Sequence, residues 1–151
     1  MPTVIHQKIR LAEKGQNPNS IIRLESGWVM MADPQPVAGY CILMSNPVAK
    51  DLNSMAEEKR IQYCLDMIRV GDALIKVTGS HRINYETWCN LDPALHTHIV
   101  PRFMTESDNK RILPIREAYD FKTSRQFDFN RDRDLIEKIR AELLEFAASP
   151  T

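Results

Sequence analysis

One long helical run in the middle of the chain, with short extended runs on both sides of it, limits the fold more than any other feature of this sequence. Met55, Ile61, Leu65, Ile68 and Leu74 recur at helical spacing through about Val77, beside Glu57, Glu58, Lys59, Arg60, Asp66 and Arg69, which are expected to face water. Ser54-Met55-Ala56-Glu57 has the form of a capping box at the start of this helix, and Gly79 marks its end. Before it stand Ile21 to Leu24, Trp28 to Ala32 and Gly39 to Met44, apolar and extended. The first two are joined by the turn-like Glu25-Ser26-Gly27, so they predict a hairpin. After the helix come Ile83 to Trp88 and Ala94 to Val100. Strands in such close succession favour antiparallel pairing, and the alternating βαβα pattern of a doubly wound fold is absent. The predicted class is α+β, with a mainly antiparallel sheet of about five strands. Amphipathic helices are expected at both ends, over Val4 to Lys14 and over Asp132 to Ala148, where Leu135, Ile136, Ile139, Leu143 and Phe146 share a face. Arg102 to Asn130 is charged and lacks periodicity, so it carries no structural expectation.

With 151 residues and 43% hydrophobic content, the chain suits one domain over 1–151, with its core at about 20–102 and a charged extension at 103–151. Twenty basic residues balance twenty acidic ones, so no overall field draws the chain to nucleic acid or to an anionic membrane. Any anion recognition must be local. No apolar run reaches the roughly 18 residues of a spanning helix, and Met1 to Arg10 lacks the form of a secretory signal. Cys41, Cys64 and Cys89 are scattered and odd in number, which suits free thiols in a reducing, cytoplasmic setting.

The last of the extended runs holds two of the four histidines. In a strand alternate side chains share a face, so His96 and His98 point the same way together with Ala94 and Val100. Leu95, Thr97 and Ile99 form the opposite face, suited to packing under a helix. Three readings of the pair stand open. The imidazoles are polar residues on a solvent face, or they bind one zinc with a third protein ligand still to be found. Alternatively they perform covalent catalysis on phosphorus, in which a neutral imidazole attacks and its neighbour holds phosphate oxygens or assists the leaving group.

Asn84, Asn90, Pro93 and the run Leu95-His96-Thr97-His98-Ile99-Val100-Pro101-Arg102 together resemble the signature of the histidine triad (HIT) superfamily. That motif alternates histidine with hydrophobic residues and often runs on into Pro-Arg. Upstream, Asp33-Pro34-Gln35-Pro36-Val37-Ala38-Gly39-Tyr40-Cys41-Ile42-Leu43 resembles the family's segment leading into a strand, followed by a loop and the long helix. The likeness covers roughly Ile21 to Arg102.

It implies a HIT-like fold, a homodimer, and a nucleotide hydrolase or nucleotidyl transferase acting at the α-phosphorus of a nucleoside phosphate derivative, such as a dinucleoside polyphosphate or a nucleoside phosphoramidate. His96 takes the place of the nucleophile, His98 that of the third histidine, and Asn90 that of a polar side chain near the leaving group. No metal or other cofactor is required for the covalent step. Among substrate-binding candidates, Asp33 matches an acidic residue that holds ribose hydroxyls, Asn84 an asparagine near the preceding strand, and Arg102 closes the motif where it could face phosphate. The chain departs from the pattern at Ala94, which replaces the first histidine as in a variant bacterial-type branch, and at Tyr40 and Val48, which replace two others. The alternative from another class is a non-catalytic nucleotide-binding or regulatory module. Trp28, Trp88 and Tyr85 are expected to pack on the sheet, and Met30, Met31 and Met44 to fill the core.

Overall fold

The computed structural model describes residues 2–149. Helix α1 (Val4–Glu13) precedes a hairpin of β1 (Ser20–Leu24) and β2 (Gly27–Met31), then β3 (Cys41–Ser45) and the long helix α2 (Glu57–Thr78). Strands β4 (Arg82–Glu86) and β5 (His96–Arg102) follow, then the short helices α3 (Asp108–Arg111) and α4 (Ile115–Ala118), and finally α5 (Phe129–Leu143) with a 3-10 turn at Leu144–Phe146. The five strands form one sheet in the order β1-β2-β3-β5-β4, with every neighbouring pair antiparallel. This is the α+β architecture that the sequence pattern predicts.

Pleating divides the side chains of β5 between two different surroundings. Leu95 and Ile99 lie under α2 and α5 in an apolar core with Leu43, Tyr63, Val70, Leu74, Ile136 and Ile139. Thr97, also on this side, shares its hydroxyl with the Tyr63 hydroxyl at 2.8 Å. Ala94 and Val100 lie on the other side of the sheet, in two separate apolar clusters. Ala94 sits with Ile5, Ile9, Met30 and Met44 beneath α1. Val100 sits with Ala32, Val37, Tyr40 and Ile115, beside Phe103, Tyr119 and Phe121 of the arm that follows β5. His96 and His98, which come between Ala94 and Val100 along the strand, occupy the gap between α1 and the arm.

The long helix begins and turns differently from its sequence expectation. Ser54 does not cap it. Ser54 instead closes a turn with Asp51, donating its hydroxyl to the Asp51 carbonyl at 2.9 Å, and Ala56 holds the cap position without a side-chain bond. Ile61, Leu65 and Ile68, expected inward, are 60%, 43% and 44% exposed. The inward face is Tyr63, Asp66, Val70, Gly71, Ala73 and Leu74. Polar groups can turn inward here because each finds a partner. Tyr63 donates to the Leu43 carbonyl at 3.1 Å, and Asp66 accepts the backbone N–H and the hydroxyl of Ser26 at 3.0 and 2.7 Å. Gly71 lets α2 settle against the Tyr85 ring of β4, where a Cβ would collide with the phenol.

Candidate active site

The gap on the open side of the sheet is a cleft of about 340 Å³ lined by Trp88, Cys89, Asn90, Leu91, Asp92, His96, His98 and Arg116. Three segments build it: strand β5, the 87–93 loop that leads into it, and α4 of the arm. The loop is bound down at Asp92, whose carboxylate accepts the Ala94 N–H and the Ile5 N–H, both at 3.1 Å. Burial opposes the charge of Asp92, but these two amides, together with the Thr3 side chain and the nearby His96, outweigh it and hold the carboxyl below its ordinary range. The same contact ties the first turn of α1 to the cleft rim. Thr3 caps that helix, and His6 answers in the reciprocal position, its Nδ1 accepting the Thr3 N–H at 3.1 Å.

The two imidazoles are held in opposite tautomers. His96 Nδ1 lies 2.7 Å from the Ala94 carbonyl oxygen. A carbonyl can only accept, so Nδ1 carries a proton, and in the neutral ring Nε2 keeps its lone pair. Cys89, turned to a φ of 55°, receives the His96 backbone N–H on its sulfur at 3.4 Å and steadies the residue from below. His98 Nδ1 lies 2.6 Å from the Tyr40 hydroxyl. Burial pushes the Tyr40 phenol well above its ordinary range, with Glu86 adding to the push and Arg116 opposing it, so it stays protonated and donates. His98 Nδ1 is therefore the acceptor, and its Nε2 carries hydrogen. Burial also pushes the His98 imidazole down to about 4, with His96 and Arg116 acting in the same direction. With His96 in its neutral form, the pair presents one free lone pair and one N–H donor, with ring centroids 5.2 Å apart.

Asn90 stands with the histidines on the cleft wall. The three expected substrate-binding residues do not line it. Asp33 receives Lys8 Nζ of α1 at 2.7 Å and Asn19 Nδ2 at 3.0 Å. Asn84 and Arg102 bond to each other at 3.0 Å beside a separate groove that also includes Arg82 and Arg111. Arg102 is only 2% exposed and ties the arm to the strand end, donating to Glu106, to the Leu113 carbonyl at 2.6 Å and to the Lys110 carbonyl at 2.9 Å. Trp88, expected to pack, is 63% exposed on the cleft.

Sequence reasoning missed Arg116. Nothing local marks it, since α4 is one turn long and gains its place from Ile115 beneath it. Among the described residues no third His, Cys, Asp or Glu joins the imidazoles in a group that could hold a metal ion. Nor is any described helix long and apolar enough to cross a membrane.

No family model and no curated protein matches this sequence. Solved structures do match it. A histidine triad protein from Bradyrhizobium japonicum superposes with a TM-score of 0.69 at 22% identity, over 88% of this chain and 93% of that one. A histidine triad protein from Marinobacter aquaeolei gives 0.73 at 13% identity, over 91% and 95%. A hypothetical histidine triad nucleotide-binding protein from Sulfolobus tokodaii gives 0.70 at 12% identity, over 92% of each. The chain thus has the fold of the histidine triad proteins.

Proposed function

We propose that this chain is a nucleotide hydrolase or nucleotidyl transferase that works through a nucleotidyl-histidine on His96. The observation that carries the reading is the opposed tautomers of His96 and His98 on one cleft wall. His96 Nε2 attacks the α-phosphorus, a P–N bond to the imidazole forms, and the bond to the leaving group breaks, a polyphosphate departing as its anion and an amine departing with a proton taken from water. His98 offers its Nε2–H to the departing atom or to a phosphate oxygen, and the Asn90 amide holds the same region as a polar clamp. Water or another acceptor then attacks phosphorus, the P–N bond breaks, and the imidazole is restored. That one solved neighbour carries the name of a nucleotide-binding protein agrees with this substrate class.

The test is incubation with a dinucleoside polyphosphate and with adenosine phosphoramidate, with intact-mass detection of the adenylylated protein. His96→Ala is expected to lose the adduct and at least about 1,000-fold in turnover. Equal turnover by both proteins refutes the nucleophile.

One observation favours the non-catalytic alternative. Ala94, in the first histidine's place, is buried beneath α1 and offers no proton-relaying group. Tight nucleotide binding with no turnover by the unaltered protein would select that reading.

The working unit we propose is a homodimer in a reducing, cytoplasmic setting, which the three unbridged cysteines suit. Strand β4 is a sheet edge, and Ile68 and Ile75 flank Gly71 of α2 at helical spacing, so the apolar stripe of the helix adjoins that edge. A second copy across a two-fold axis would cover both at once. Ile68→Glu is expected to give a monomer in sedimentation equilibrium. A monomeric unaltered protein would end the proposal.

A further inference from the structure

A phosphate entering this cleft meets two neutral imidazoles at physiological pH if His96 is to attack and His98 stays unprotonated. Asp92, on the rim, carries the wrong sign. The one permanent cation among the lining residues is Arg116. Its guanidinium carbon stands 5.0 Å from the centroid of the Phe121 ring, Phe121 packs 6.0 Å from Tyr40, and Tyr40 holds His98 at 2.6 Å. A continuous run of contacts thus links the cation to the imidazole that assists departure. Ile115, fully buried next to it, anchors the backbone, and Tyr119 donates to Glu106 at 2.8 Å on the other side. Among the described residues no carboxylate reaches ion-pairing distance of Arg116, so its donors are free.

Direction along the strand gives the cation its role. His96 lies toward Ala94 and α1, whereas His98 lies toward Val100 and the arm that carries Arg116. In-line displacement sends the leaving group away from the nucleophile, hence toward His98 and the arm. We propose that Arg116 binds the oxygens of a departing phosphate, so that the cleft selects nucleotides whose leaving group is itself a phosphate over those that release a neutral amine. A guanidinium presents paired N–H donors that match two phosphate oxygens, and it keeps its charge throughout the reaction. This inference rests on the nucleotidyl-transfer reading of the same cleft.

The experiment separates the two. Inorganic pyrophosphate is titrated into the intact protein while the His98 ring resonances are followed by NMR. The unaltered protein is expected to show a saturable shift, Arg116→Ala at least about tenfold weaker binding, and Arg116→Lys an intermediate value. Arg82→Ala, which removes an exposed cation from the neighbouring groove, is expected to bind as tightly as the unaltered protein. In turnover, Arg116→Ala should lower kcat/KM for a dinucleoside polyphosphate by a larger factor than for adenosine phosphoramidate. Equal pyrophosphate affinity with and without Arg116 overturns the inference, as does an equal loss in the Arg82 variant or no shift in the unaltered protein. The expected binding pattern without any turnover would support Arg116 while sinking the nucleotidyl-transfer reading.

Discussion

The two faces of the sheet are covered by different means, and the difference locates the chemistry. On one face α2 and α5 lie across the strands and seal Leu43, Leu74, Leu95, Ile99 and Ile139 into a single core. On the other, α1 and the arm each bury a small cluster and leave the middle of β5 between them uncovered. One side is stability, the other is a cleft with stability only at its rims. The polar groups follow the same division. Tyr63 and Asp66 on the sealed side are satisfied by neighbours, whereas His96 and His98 each keep one nitrogen for something else.

The sharpest way to break this comparison is to cut one residue on each side. His96→Ala should abolish turnover and leave the melting temperature almost unchanged, while Leu74→Ala should cost about 2–5 kcal/mol of stability and leave kcat in the folded fraction intact. Thermal denaturation alongside a turnover assay reads both, and a large stability loss in His96→Ala would erase the distinction. A smaller effect is expected at the closed rim. Ala94→His would place an imidazole among Ile5, Ile9, Met30 and Met44, and overpacking should cost about 1–3 kcal/mol by chemical denaturation. An unchanged midpoint would mean that α1 yields easily and that the rim is less closed than its packing implies.

Next comes the bond that sets the His98 tautomer. Tyr40→Phe removes the donor to Nδ1, and kcat should fall about tenfold with KM little changed, the equivalent of one hydrogen bond. An equal loss in kcat and in stability would make Tyr40 part of the core alone. The gentlest test is pH. His98 titrates at about 4 in the fold and near 6.5 when unfolded, so the unfolded chain binds the extra proton between those values. Stability should therefore decline as the pH falls through that window, and His98→Gln should flatten the decline.

How much of this was legible in the sequence depends on the range of the forces involved. The alternation of β5 was readable because its period is local: Leu95 and Ile99 inward, His96 and His98 outward. The orientation of α2 was not, since Ile61, Leu65 and Ile68 look like an inner stripe until Tyr63, Asp66 and Gly71 find partners far away in Leu43, Ser26 and Tyr85. The arm was opaque for the same reason. Its shape comes from Arg102, which the motif offered as a phosphate-facing residue and which instead gathers Glu106, Lys110 and Leu113 around itself.

Arg102 also decides how such a protein can diversify. With the arm riveted to the end of the reactive strand, the outward residues near 114–121 are free to change while the strand keeps its register. New ligands can then be tried at the rim without disturbing the atom that reacts.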